Sequence, residues 1–426
     1  MKIKVKEKAY SEVMSLPADK HMKPLKQLFI MRLLLKIVSL PDLLATRFSC
    51  KKIGMERLKK NEPCLYLMNH CSFLDLKIAS SIIFPRRFNI ICTQDGFVGK
   101  RLLMRMLGCI PTKKFVQDSR LVRDMVYALK KLNSSVLMFP EASYSFDGTT
   151  TVLPESLGKC IKLLGVPVVM ITGKGTFSRD PLYNGLQRRK VKVSADMEYV
   201  LSPEEIGEMS VDEINAVVNE KFDLDYFKWQ QENGVKITEK FRADFLNRPL
   251  FKCAHCEVEG SMVGKGTTLT CKACGKVYEL TEDGFLRAQN GETEFSHVPD
   301  WYAWQRSCIR REIENGEYNL DVPVDIYVLR DTKCLYKVGA GRLKHSVSGF
   351  SLNGCDGELN YTQSSAASYS LYSDFYCYEI GDVIVIGDTK MLYYCFPKVR
   401  GDFVAKTRLA TEEIYKMIKS RQKENA

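Results

Sequence analysis

The chain reads as an α/β domain built on a central, mostly buried sheet with flanking helices, followed by a small cysteine-rich module and a mainly-β C-terminal domain. Three observations predict this. Between Asn61 and about Lys192, short apolar runs alternate with amphipathic segments of helical period. Two Cys-x-x-Cys pairs then fall close together after residue 250. From Val322 to Pro397 the composition shifts to short Tyr-, Val- and Ile-rich runs separated by Gly, Asp, Asn and Ser.

In chain order, the first 50 residues read as basic amphipathic helices that contact a membrane surface. Residues 1–60 hold fifteen Lys and Arg against five Asp and Glu, most of the net charge of +12. Such a segment suits an anionic lipid surface, a nucleic acid or an acidic carrier protein. The run from Leu25 to Phe48 is the most lipid-like. Lys26, Arg32, Lys36 and Asp42 interrupt it and Pro41 is expected to break it, so it is no spanning helix. Arg32, Lys36 and Ser39 share one helical face amid Leu and Ile, the pattern of a helix lying in the headgroup layer. No secretory signal is read at the start, because Glu7, Glu12 and Asp19 precede any apolar run.

Residues 51–248 form the α/β domain. Its strands are expected at CLYLMNH, FNIICTQD, SVLMFPEA, VPVVMITG and VKVSADMEYV, with helices between and charged helices over 203–245. Residues 249–282 hold the cysteine module and 283–320 a helical linker carrying DWYAWQRSCIRREIENG. Residues 321–426 hold short strands closed by one helix, an order that resembles a pleckstrin-homology-like small barrel.

Four pieces carry chemistry. In NHCSFLD, His70 follows an apolar strand and Asp75 opens a helix five residues later. A turn that folds the carboxylate back onto one ring nitrogen leaves the other free to take a proton from an alcohol. In FPEASYS, Glu141 stands at another strand end, although a carboxylate at a helix N-terminus is the plainer reading. GCIPTKK brings Lys113 and Lys114 to the sheet edge, able to neutralise a phosphate. GVPVVMITG alone reads as a buried strand.

Together and in this order, these pieces resemble the four blocks of the glycerolipid acyltransferase family, the 1-acylglycerol-3-phosphate acyltransferases and their relatives. NHCSFLD is similar to the first block and FPEASYS to the third, usually Phe-Pro-Glu-Gly-Thr-Arg-Ser. GCIPTKK and GVPVVMITG are similar to the second and fourth. The resemblance covers about residues 50–200. It implies acyl transfer from acyl-CoA or acyl-carrier protein to the hydroxyl of a lysophosphatidate-like acceptor, with no covalent acyl-enzyme. His70 is then the general base and Asp75 its partner, while Glu141, Lys114, Lys113, Ser143 and Asn69 form the substrate-binding set. Ala142 replaces the family's Gly, Tyr144 its Arg, and Lys114 the Arg of the second block. Another lyso-lipid or glycerol-phosphate acceptor therefore stays open. So does a membrane-associated binding protein without catalysis. Cys71, beside His70, is expected to point away and to be silent as a nucleophile. The setting implied is the cytoplasmic face of a membrane, with lyso-phospholipid and membrane surface as partners.

Fifteen scattered cysteines are no disulfide framework and suit a reducing compartment. Cys253, Cys256, Cys271 and Cys274 form two Cys-x-x-Cys knuckles fourteen residues apart. That spacing predicts a zinc ribbon with four thiolate ligands, hence structural zinc with no open position. His255 inside one knuckle is a neighbour rather than a ligand. The ribbon segment is not strongly basic, so nucleic acid is not an expected partner.

Overall fold

The computed structural model describes residues 2–399 and 401–424. The α/β domain is built on a seven-stranded mixed sheet. Its order is Ser49–Ile53, Ser194–Leu201, Val168–Lys174, Leu65–Met68, Ser135–Met138, Phe88–Thr93 and Cys109–Thr112. The last five run parallel, and Ser194–Leu201 turns antiparallel against Val168–Lys174. Leu65, Tyr66, Leu67 and Met68 are all buried. Tyr66 and Met68 face one apolar cluster and Leu65 and Leu67 the other, as a strand covered on both faces requires. Burial of each such side chain stabilises the layer by about 1.5–3 kcal/mol.

The helices follow their sequence signals. Asp118 caps Ser119–Lys130 by accepting from the Arg120 amide, and Ser202 and Ser210 each close a capping box. Pro41 behaves differently from expectation: it lies inside the helix Phe29–Ala45 rather than ending it. It falls in the last turns, where few backbone bonds remain to lose. The first residues also differ from the expected helices. Val5–Glu7 is a strand paired in parallel with Leu335–Lys337, and Val13 of the short helix Tyr10–Ser15 is buried in the C-terminal core.

The cysteine module is a four-stranded antiparallel sheet of Met262–Lys265, Thr268–Cys271, Val277–Leu280 and Leu286–Ala288. Helix Val298–Glu314 packs on it. Trp301 stands edge-on to Tyr278 at 4.8 Å and donates to the Lys252 carbonyl at 2.9 Å. The C-terminal part is one antiparallel path in the order Leu359–Ser364, Gly349–Gly354, Leu335–Ser346, Leu320–Val328, Leu392–Pro397, Gly381–Gly387 and Tyr372–Cys377. Helix Phe403–Glu424 follows it. Among the described residues, no helix is long and apolar enough to cross a membrane.

Candidate active site

Parallel strands Leu65–Met68 and Ser135–Met138 end side by side and deliver Asn69–His70 and Phe139–Glu141 to the same sheet edge. Open α/β sheets place their sites at such C-terminal edges. The turn after His70 runs directly into helix Leu74–Ile83, so Asp75 sits in the first turn and is fully buried. Its Oδ2 accepts from the Cys71 and Ser72 amides at 2.8 and 2.9 Å and meets His70 Nδ1 at 3.0 Å. An oxygen already accepting two amides is an acceptor for the ring too. Nδ1 therefore carries the proton and Nε2 keeps its lone pair. The His70 side chain is 22% exposed, enough for a guest to reach it.

The imidazole lies between two rings. Phe139 stacks on it at 4.2 Å and Tyr144 tilts against it at 4.4 Å. Tyr144 is met edge-on by Phe73 at 5.7 Å. These rings lie inside the two motifs themselves, Phe73 in NHCSFLD and Phe139 and Tyr144 in FPEASYS, but nothing in the sequence marks them as packing on the imidazole. Their role comes from two strand ends meeting.

The remaining sequence-predicted residues divide into braces and outliers. Both Glu141 oxygens are taken by backbone amides, His70 at 2.9 Å and Thr151 at 3.0 Å. Burial pushes its carboxyl up to about 7. Asn69 is buried. Its amide exchanges hydrogen bonds with Gly173, donating at 3.0 Å and accepting at 2.7 Å, and donates to the Tyr226 hydroxyl. Ser143 is buried with its hydroxyl turned to the Tyr144 carbonyl at 3.4 Å. So Asn69 and Glu141, expected to touch substrate, have their polar atoms engaged within the protein and hold the His70 strand end in place. Ala142 has φ of +55°, a left-handed backbone that glycine adopts more easily.

Lys113 and Lys114 are turned toward the C-terminal domain. Lys113 donates to the carbonyls of Asp388 and Thr389 at 3.3 and 2.6 Å, and Lys114 stands 4.2 Å over the Tyr372 ring. Cys71 is buried in an apolar cluster, and burial raises its thiol well above the ordinary range. A thiol so placed is inert.

The second centre is the cysteine cluster. The sulfurs of Cys253, Cys256, Cys271 and Cys274 lie within 4.8 Å of one another. Cys253–Cys274 and Cys256–Cys271 are 3.8 and 3.7 Å apart. The two knuckles repeat one design. The residue four after each first cysteine, Glu257 or Gly275, returns its amide to that cysteine's carbonyl from a left-handed backbone. Four sulfurs gathered in this way can hold one metal ion.

The profile of the Acyltransferase family matches residues 49–172. The 1-acyl-sn-glycerol-3-phosphate acyltransferase BAT2, chloroplastic, of Brassica napus is 34% identical over 129 residues, 29% of this chain and 36% of that protein. A dihydroorotase of Geobacter sulfurreducens is 24% identical over 183 residues, 42% of each chain. The chain thus spans roughly a third to two fifths of the curated relatives it matches. The crystal structure of the 1-acyl-sn-glycerophosphate acyltransferase PlsC from Thermotoga maritima aligns at 19% identity with a TM-score of 0.37, covering 45% of this chain and 76% of that one. Over residues 49–172 the chain is thus similar to the Acyltransferase family, and within a stretch of 129 residues to a 1-acyl-sn-glycerol-3-phosphate acyltransferase.

Proposed function

We propose that the protein transfers a fatty acyl group from acyl-CoA or acyl-carrier protein to the free hydroxyl of a lysophosphatidate-like acceptor, forming phosphatidate for phospholipid synthesis. One observation carries this reading: a His–Asp pair at 3.0 Å whose imidazole, at a sheet edge, is 22% exposed. In the reaction, His70 Nε2 takes the proton of the acceptor hydroxyl as its oxygen attacks the thioester carbonyl. The buried Asp75 carboxylate stabilises the imidazolium, and the thiolate leaves with that proton. Glu141 and Asn69 fix the strand end from which the ring projects.

A second acceptor class, another lyso-lipid or glycerol-phosphate, is favoured by Tyr144 in place of Arg and by the engagement of Lys113 with the C-terminal domain. Radiolabelled acyl-CoA offered with a panel of lyso-lipids to wild type and His70→Ala tests both readings. Transfer should vanish in the variant while its melting profile is kept. Transfer that persists sinks the mechanism, and the panel ranks the acceptors.

Zinc fits the cysteine cluster. Zn–S bonds of about 2.3 Å in a tetrahedron set sulfurs about 3.8 Å apart, matching the pairs at 3.7 and 3.8 Å. With four protein ligands the ion's role is structural. A membrane surface is the proposed setting, at the cytoplasmic face and without a spanning helix, with helix Phe29–Ala45 as the contact. Phe29, Ile30, Ile37, Val38 and Leu44 on that helix are all exposed. A pleckstrin-homology-like assignment for the C-terminal part is supported by its order. A four-strand and a three-strand meander join through their first and last strands, and a terminal helix follows.

A further inference from the structure

A cavity of about 420 Å³ opens beside the His70 turn, lined among others by Asp42, Phe73, Lys77, Arg179, Asp180 and Arg188. We propose that it holds the phosphate of the acceptor on Arg179, Arg188 and Lys77, a task the lysines of the second sequence block do not take here. The inference rests on the acyl-transfer reading above and names that reaction's headgroup site.

Three observations support it. First, the cations converge. Among the described residues, Asp42 alone is shared by all three, meeting Arg179 at 3.3 Å, Arg188 at 3.4 Å and Lys77 in a short contact. Asp180 adds one ion pair, to Arg179 at 2.8 Å. Arg188 reaches Asp42 with one of five N–H donors and its side chain is 69% exposed, so donors remain for a multi-oxygen anion. Second, the place is right. Phe73 lines the cavity and stands edge-on to Tyr144, which touches the imidazole. Phe73 and Leu74 belong to the same turn that holds Asp75 against His70. Third, Asp42 sits on helix Phe29–Ala45 between exposed Leu40 and Leu44, so the cavity borders the apolar flank proposed to meet lipid. Glu379 at the rim lies 3.9 Å from Lys2.

The test uses the full chain with octyl phosphate as a direct binding probe, alongside initial rates with lysophosphatidate and acyl-CoA. Arg188→Gln and Lys77→Gln are chosen because both side chains reach solvent, whereas Arg179 is buried. Each should raise the octyl phosphate Kd and the acceptor KM about tenfold and leave the acyl-CoA KM unchanged. Arg188→Lys should recover part of the loss. Unchanged octyl phosphate affinity overturns the proposal. A loss confined to the acyl-CoA KM overturns it too, by giving these cations to the donor's phosphates. Wild type that binds octyl phosphate through Arg188 yet transfers no acyl group keeps this site and sinks the enzyme reading. Active wild type with indifferent variants does the reverse.

Discussion

Glu141 shows how far a single residue's role departs from its chemistry in isolation. Its carboxylate sits where a substrate contact was expected, yet both oxygens serve backbone amides, one of them His70's own. The carboxyl is raised from about 4.5 to about 7 because burial penalises the charge. A folded-state value above the unfolded one means the folded chain holds this proton more tightly. The stabilisation is whole below pH 4.5, is lost as pH rises toward 7, and changes no further above that. In Glu141→Gln this dependence should disappear, so chemical denaturation at pH 5 and pH 8 should differ less than in wild type. The variant also trades one acceptor for an NH₂ facing an amide, at a cost of about 1–3 kcal/mol. Asp75→Asn probes the other carboxylate. The amide cannot both accept from Cys71 and Ser72 and hold the Nδ1 proton as a charge, so kcat should fall by about two to four orders of magnitude. The acceptor KM should move little, and steady-state kinetics on protein with an intact melting curve checks both.

Elements were legible where local rules decide. The apolar runs gave five strands of the sheet, and the His-to-Asp spacing placed a carboxylate on a first turn that folds back to the ring. What was hidden depends on partners distant in sequence. The edge strand Ser49–Ile53 exists because Ser194–Leu201 offers it a parallel ladder, and Val5–Glu7 because Leu335–Lys337 does. Nothing within those short segments announces it. Lys113 and Lys114 likewise read as phosphate ligands until the C-terminal domain supplies carbonyls and a ring. Helix Phe29–Ala45 is the element with the clearest surface consequence. Arg32 and Lys36 lie over the rings of Phe29 and Phe84 at 5.3 and 4.4 Å, while Ile37 and Val38 are more than half exposed. Each apolar side chain entering the acyl boundary contributes about 1.5–3 kcal/mol. Ile37→Glu with Val38→Glu should therefore weaken sedimentation with phosphatidylglycerol vesicles at least tenfold and leave the melting temperature in place. Equal sedimentation of both proteins would remove this helix as the lipid contact.

At the scale of the molecule, the modules read from the sequence as separate share one core. Phe251, Cys253, Leu269, Cys271 and Tyr278 of the cysteine module pack in the same buried cluster as Cys71, Phe146 and Tyr226 of the α/β domain and Phe375 and Leu409 of the C-terminal part. Polar contacts cross the same boundaries. Arg408 of the last helix lies 4.5 Å over the Phe146 ring and donates to the Tyr144 carbonyl at 3.4 Å, while Tyr372 donates to Asp95 at 3.0 Å. Tyr226 in that core is also the hydroxyl that receives the Asn69 amide behind the His70 strand end. A path of direct packing therefore runs from the four sulfurs to His70. If an ion held there acted only within its knuckles, its loss would leave the α/β domain standing. With a shared core, loss of such an ion should loosen Phe251 and Leu269 and then everything packed on them. Cys274, the exposed cysteine of the four, is the place to test this, because changing it leaves the buried packing intact. Cys274→Ser should abolish stoichiometric zinc in metal analysis. Losing a structural metal costs upwards of about 4 kcal/mol, so the melting temperature of a chain this long should fall by about 5 °C or more. Acyl transfer should decay along the same single transition. Two separated transitions, with activity surviving the first, would show that the ribbon folds apart from the site.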